Sequence, residues 1–163
     1  MSTETQGNTN RDTSKNDVVR QAGAEHLPPS QSIRSQLESG ISPIHNFDGD
    51  KRNQWRLSTI AVGADAKEGS KMDGEIIDLR YYYCHVVRMV SQKTGDEMDA
   101  YRTVLFSKDG TAWRFVSTTV IDALDNIRAM FGNGPYDETL KFTINKADSR
   151  KGNKIYNLVP VEE

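Results

Sequence analysis

The sequence has a single cysteine, Cys84, so no disulfide can form within the chain. That composition fits a reducing compartment. Cys84 lies in an apolar stretch and reads as a small buried hydrophobe. The three histidines, His26, His45 and His85, fall in different segments and offer no metal-ligand spacing with one thiol. No apolar run approaches the roughly 20 residues that a membrane-spanning helix needs. The first residues also lack the apolar core of a signal peptide. Cationic excess is missing as well: the formal net charge is -2 and the pI is near 5.9. The overall balance therefore gives no argument for nucleic acid, although a groove can be basic on an acidic protein. Enzyme signals are equally sparse. Residues 63–71 are one residue too long for a phosphate loop, and their Lys-Ser order is reversed. Asp48-Gly49-Asp50 does not continue as a calcium loop, because Arg52 and Thr59 stand where ligands are needed. No Ser-His-Asp set or paired carboxylates can be picked out. The expectation is a cytoplasmic, non-enzymatic protein with no cofactor, no metal and no membrane partner.

What is present is a polar start and a β-rich remainder. Residues 1–29 are Ser, Thr, Asn, Gln and mixed charge, too polar to offset the entropy of ordering, and are expected to be disordered. Residues 31–39 can form a short helix, with Ser30 or Ser32 as N-cap, Ile33 and Leu37 on one face, and Gly40 past its end. So short a helix needs a domain or a partner to dock on. The division read from composition is a flexible extension, 1–52, and a folded domain, 53–163. Residues 54–62, with Trp55, Leu57, Ile60 and Val62, read as an extra N-terminal strand on which Trp55 packs. Residues 75–90 are long for one straight strand, and their alternation loses phase, as a bulge would cause.

Next comes a hairpin. Tyr101 to Phe106 and Ala112 to Val116 flank Lys108-Asp109-Gly110. A three-residue loop with Gly110 at positive φ pairs Leu105 with Trp113 and Thr103 with Phe115, and sets Val104 opposite Arg114. A two-residue turn would instead pair Phe106 with Trp113. A helix follows, capped by Thr118 or Thr119, with Asp122 in its first turn. Its apolar positions are Val120, Leu124, Ile127 and Phe131, and Gly132 is the stop. Leu140, Phe142 and Ile144 mark a fourth strand, and residues 155–161 a fifth. The fold class is mainly β. Three strands, a helix and two strands follow the order of a five-stranded Greek-key OB-fold barrel with one capping helix between strands 3 and 4.

The run from Asp99 to Gly110, then Val116-Ser117-Thr118-Thr119-Val120-Ile121-Asp122-Ala123-Leu124 with Phe131-Gly132, resembles the single-stranded DNA-binding proteins of phages and mobile elements. The long strand from Ile76 to Val90 and the closing strands at Lys141 and Ile155 fit the same resemblance. It spans about residues 53–161. It implies an OB-fold protein that coats unpaired DNA in replication or recombination. Well-known cellular members end in a long acidic tail that recruits partners, whereas this chain stops at Val161-Glu162-Glu163 and carries its polar extension at the other end. Replication proteins could be engaged through that extension, and a homo-oligomer is compatible with the resemblance.

Single-strand binding needs rings for bases and cations for phosphates. The candidate rings are Tyr81, Tyr82, Tyr83, Tyr101, Trp113, Phe115 and Tyr156, with Trp113 and Tyr82 placed first; Phe115 and Phe142 read more readily as core. The candidate cations are Arg80, Arg102 and Arg114 on strands, and Lys146, Arg150, Lys151 and Lys154 in or beside the last hairpin loop, which flanks the ligand groove in OB folds. Each has a plainer reading, as barrel core for the rings and solvated or cross-strand-paired charge for the cations. RNA would suit the same surface. A different class also fits: a protein-interaction or virion structural module with the same barrel and no nucleic acid.

Overall fold

The structure, a computed structural model, describes residues 32–148 and 154–162. The elements run α1 (Ile33–Glu38), β1 (Ile44–His45), α2 (Lys51–Val62), β2 (Lys67–Glu68), a 3₁₀ turn (Gly69–Lys71), β3 (Ile76–Val90), β4 (Glu97–Ser107), β5 (Ala112–Val116), α3 (Thr118–Phe131), β6 (Lys141–Asp148) and β7 (Lys154–Pro160). The architecture is mainly β: a curled mixed sheet with a few helices, consistent with an OB-like fold. The strand order is β2-β5-β4-β3-β6-β7, with β1 added beside β3. Every pairing is antiparallel except β2 with β5.

β3 curls the sheet. Its first residues, Ile76–Asp78, pair with β6, and the rest pairs with β4. The register slips between Leu79 and Tyr81, which leaves Arg80 as the extra residue. A bulge of this kind bends a strand and shifts its phase, the reason the alternation failed in the sequence. The β4–β5 hairpin adopts the three-residue register: Leu105 opposite Trp113, Thr103 opposite Phe115, Val104 opposite Arg114. Gly110 closes it at φ 93°, in the region where glycine has no steric cost.

The sheet buries both faces. On the inner face, Leu79, Tyr82, Leu105, Trp113 and Phe115 pack with Val120, Ile121 and Leu124 of α3. On the outer face, Tyr83, Val104, Phe106 and Ala112 pack with Phe47 and with Leu57 and Ala61 of α2. α1 docks on the inner core through Ile33 and Leu37. Asp125 of α3 accepts from the Ile33 amide at 2.9 Å, and Arg34 pairs with Asp122 at 3.2 Å.

Several local expectations change. Residues 54–62 are helix, not an extra N-terminal strand. Asp50 caps α2 by accepting from the Asn53 amide at 2.8 Å, and Leu57 and Ala61, four apart, form its buried face. Trp55 consequently lies on the side away from the sheet, 71% exposed. α2 also runs through residue 53, and Ile33, Leu37, Ile44 and Phe47 lie in the two cores. In α3 the N-cap is Ser117, and Asp122 falls just past the first turn. Thr119 instead donates its hydroxyl to the Tyr156 carbonyl at 2.9 Å, tying α3 to β7. Phe131, placed among the apolar positions of that helix, is exposed at its end. Residues 1–31, and with them the expected disordered tail, lie outside the described residues.

Candidate nucleic-acid interface

Two arginines meet on the outer face of the β4–β5 hairpin. Arg102 stands opposite Val116 and Arg114 opposite Val104. They therefore share a face as diagonal neighbours, within reach of long side chains. Both grip the C-terminal end of α2, where helix carbonyls lack internal partners. Arg102 Nη2 donates to the Ala61 carbonyl at 3.3 Å, and Arg114 Nη1 to the Gly63 carbonyl at 3.5 Å. Glu68 is the carboxylate beside them, 3.5 Å from Arg114 Nη2. Arg114 shares that carboxylate with Lys71, which stands 3.3 Å from it.

Burial, followed by the like charge of Arg114, pulls the Arg102 pKa below its ordinary value. His85 stands directly opposite Arg102 on β3. Burial and the Arg102 charge lower its pKa, so the imidazole is neutral at pH 7. Among the described residues, the buried side-chain polar atoms without a hydrogen-bond partner are His85 Nε2 and Arg102 Nε, and they belong to this one cross-strand pair. An anion held by the two guanidiniums would relieve the repulsion between them.

The arginines open on a pocket of about 230 Å³ lined also by Gly69, Ser70, Phe115 and Tyr156. Its floor is shaped by Gly69, where the 3₁₀ turn crosses the Phe115 ring. A Cβ at Gly69 would sit 2.0 Å from Phe115 Cε1. Gly69→Ala must displace a buried aromatic, and overpacking of that kind costs about 1–3 kcal/mol. Its urea midpoint is expected to fall; an unchanged midpoint would show that the turn does not rest on the ring.

The remaining candidates divide. Lys146 is brought to the same end: its Nζ donates to the Ser70 and Met72 carbonyls at 3.0 and 2.7 Å. It stands opposite Tyr156, two residues before the β6–β7 loop. Lys154 pairs with Asp148 at 2.8 Å, which raises its pKa. Arg150 and Lys151 lie outside the described residues. Arg80 is placed elsewhere. It pairs with Asp137 and Asp48 and donates to the Tyr136 carbonyl at 3.4 Å, so its charge is already satisfied.

The two rings placed first as stacking platforms are corrected. Tyr82 is 2% exposed and Trp113 5%, and both are inner-core residues with no open face for a base. The bulge at Arg80 accounts for Tyr82, since it throws Arg80 and Tyr82 out of phase. Tyr101 also packs against the inner core, half-buried, on the side of β4 opposite Arg102. The outer face carries a different aromatic row; Tyr83 was among the candidate rings of the sequence, whereas His45, Phe47 and His85 were not. His45 stacks on Phe47 at 4.6 Å, Phe47 on Tyr83 at 5.7 Å, and Tyr83 meets His85 edge-on at 5.2 Å. The row leads to Arg102. Its signal in the sequence was Tyr81-Tyr83-His85 at period 2, hidden by uncertainty over the phase of β3.

Residues 58–159, more than half of the chain, match the family model described as Phage Single-stranded DNA-binding protein, of the Phi29 type. The chain belongs to this phage single-stranded DNA-binding protein family. The matched range holds β3 to β7 together with His85, Arg102, Arg114 and Lys146. Comparison with curated proteins and with solved structures gave no match. Membership suggests single-stranded DNA as partner and gives no indication of catalysis. Among the described residues there is no cluster of metal-ligating side chains, and no helix is long and apolar enough to cross a membrane.

Proposed function

We propose that the protein binds single-stranded DNA without sequence preference and coats unpaired DNA during phage replication or recombination, acting in the host cytoplasm and without catalysis. The observation that carries this reading is the paired guanidinium face of Arg102 and Arg114 within the family-matched segment. Two cations on one strand face, of which Arg114 has Glu68 beside it, suit consecutive phosphates. Lys146 adds charge beside the same pocket, and Arg150 and Lys151 stay candidates by their place in the sequence alone, in the loop that flanks the ligand groove of an OB-type barrel. His85 and His45 take the place of Tyr82 and Trp113 as the rings nearest the path. The neutral His85 neither repels nor competes with the phosphates.

Competition tests the sequence independence. Unlabelled dT, dA and mixed-sequence DNA strands of equal length are expected to displace a labelled dT strand within a few-fold of one another. Displacement by only one of them would contradict the reading. An RNA strand in the same assay tests whether the sugar matters: phosphate and stacking contacts alone predict a small difference.

A further inference from the structure

α2 presents a second surface with the same chemistry. Lys51, Arg52, Trp55, Arg56 and Thr59 share its outward side, opposite Leu57 and Ala61. Trp55 is 71% exposed, a large flat ring left open to solvent. Arg56 makes one bond, to the Asn53 side-chain oxygen at 2.9 Å. Among the described residues, neither Lys51, Arg52 nor Arg56 forms an ion pair. Two of these cations sit in the first helical turn, which holds no acidic residue. Positive charge there opposes the helix dipole, offset in part by the Asp50 carboxylate at the N-cap. Unpaired cations flanking an open indole form a surface for stacking and phosphate contact.

We propose that this face of α2 is an additional single-stranded DNA contact, with Trp55 stacking a base and Arg52 and Arg56 holding adjacent phosphates. The proposal rests on the single-strand reading above but lies outside its family-matched segment, which begins at Ser58. Charge complementarity selects the occupant. The end of α2 is held by Arg102 and Arg114, and Trp55 lies six residues from Ala61, about 9 Å along the axis. A strand of the several nucleotides that a barrel of this class takes is long enough to engage both.

The test uses the full chain and a fluorescein-labelled dT strand of about 30 bases. Binding is read by anisotropy, and tryptophan emission is followed with an unlabelled strand. Trp113 is buried, so emission quenching in the wild type and its loss in Trp55→Phe would report Trp55. Trp55→Ala is expected to weaken binding about 5- to 160-fold, as for one stacked base, with Trp55→Phe recovering most of it. The double variant Arg52→Gln, Arg56→Gln is expected to flatten the plot of log affinity against log salt by about 1.4, at about 0.7 per phosphate on a single strand. These residues are exposed, so the folded state should be unaffected. If the oligonucleotide binds the wild type while Trp55→Ala binds equally well and the emission does not move, the α2 contact is overturned and the main reading stands. If the wild type does not bind at all, both fall.

Discussion

Replacing Arg102 and Arg114 together with glutamine is expected to weaken binding to a dT oligonucleotide by about a hundredfold or more at low salt. Each guanidinium offers charge-assisted hydrogen bonds to a phosphate, worth about 1.5–3 kcal/mol per charged bond, and tenfold in affinity corresponds to about 1.4 kcal/mol. The loss should shrink as salt rises, because the slope of log affinity against log salt becomes shallower by about 1.4 when two phosphate contacts vanish. Arg114→Lys separates charge from shape. It keeps the slope but loses the planar fork, so it should fall between the wild type and the glutamine variant. Both arginines also hold α2 carbonyls, so a urea midpoint must accompany the binding data. Those bonds are long and compete with water, and a drop of no more than about 1 kcal/mol is expected. An unchanged salt slope with weakened binding would mean that the arginines position α2 and do not touch DNA.

The largest effect on stability is expected at Tyr82. Its ring is buried in the inner core, and removing it as Tyr82→Ala should cost about 3–5 kcal/mol, a large part of what a domain of this size has. Tyr82→Phe keeps the ring and should bind DNA like the wild type. Burial also pushes the Tyr82 phenol up to about 12. The folded state therefore holds that proton more tightly than the unfolded chain does. Its contribution is fully present below the ordinary tyrosine value of about 10 and is lost as pH climbs from there towards about 12. Denaturant melts of the wild type and Tyr82→Phe across that window should show the steeper decline in the wild type. A Tyr82→Ala protein that keeps its midpoint but loses affinity would restore Tyr82 as a stacking platform and contradict the core assignment.

These two residues show what the sequence could and could not reveal. Arg102 and Arg114 were legible because a hairpin transmits register over short distances. Once Gly110 takes positive φ, every pairing from Phe106–Ala112 to Arg102–Val116 follows. α3 was legible in its body, where Val120, Ile121 and Leu124 repeat at helical spacing before Gly132. Tyr82 was not legible, because its face depends on where β3 slips. A bulge was visible as lost alternation, but its place at Arg80 is fixed by pairing with β4 and β6. The partners of Arg80 were hidden for a similar reason: Asp48 and Asp137 are far away in the chain. α2 was misread because Leu57, Ile60 and Val62 suit either period over so few residues. The discriminating signal was local: Asp50 in N-cap position, Leu57 and Ala61 four apart, and Gly63 after the last turn. Reading a strand there turned Trp55 into a packing residue and concealed the cations beside it.

The central claim is that this protein takes up unpaired DNA through a cationic face. It is tested most directly by titrating the full chain into labelled dT of about 30 bases at low and moderate salt, with a matching duplex as control. The account predicts tight binding to the single strand, weakening steeply with salt, and much weaker binding to the duplex. Equal affinity for both forms, or no binding to either, would contradict it.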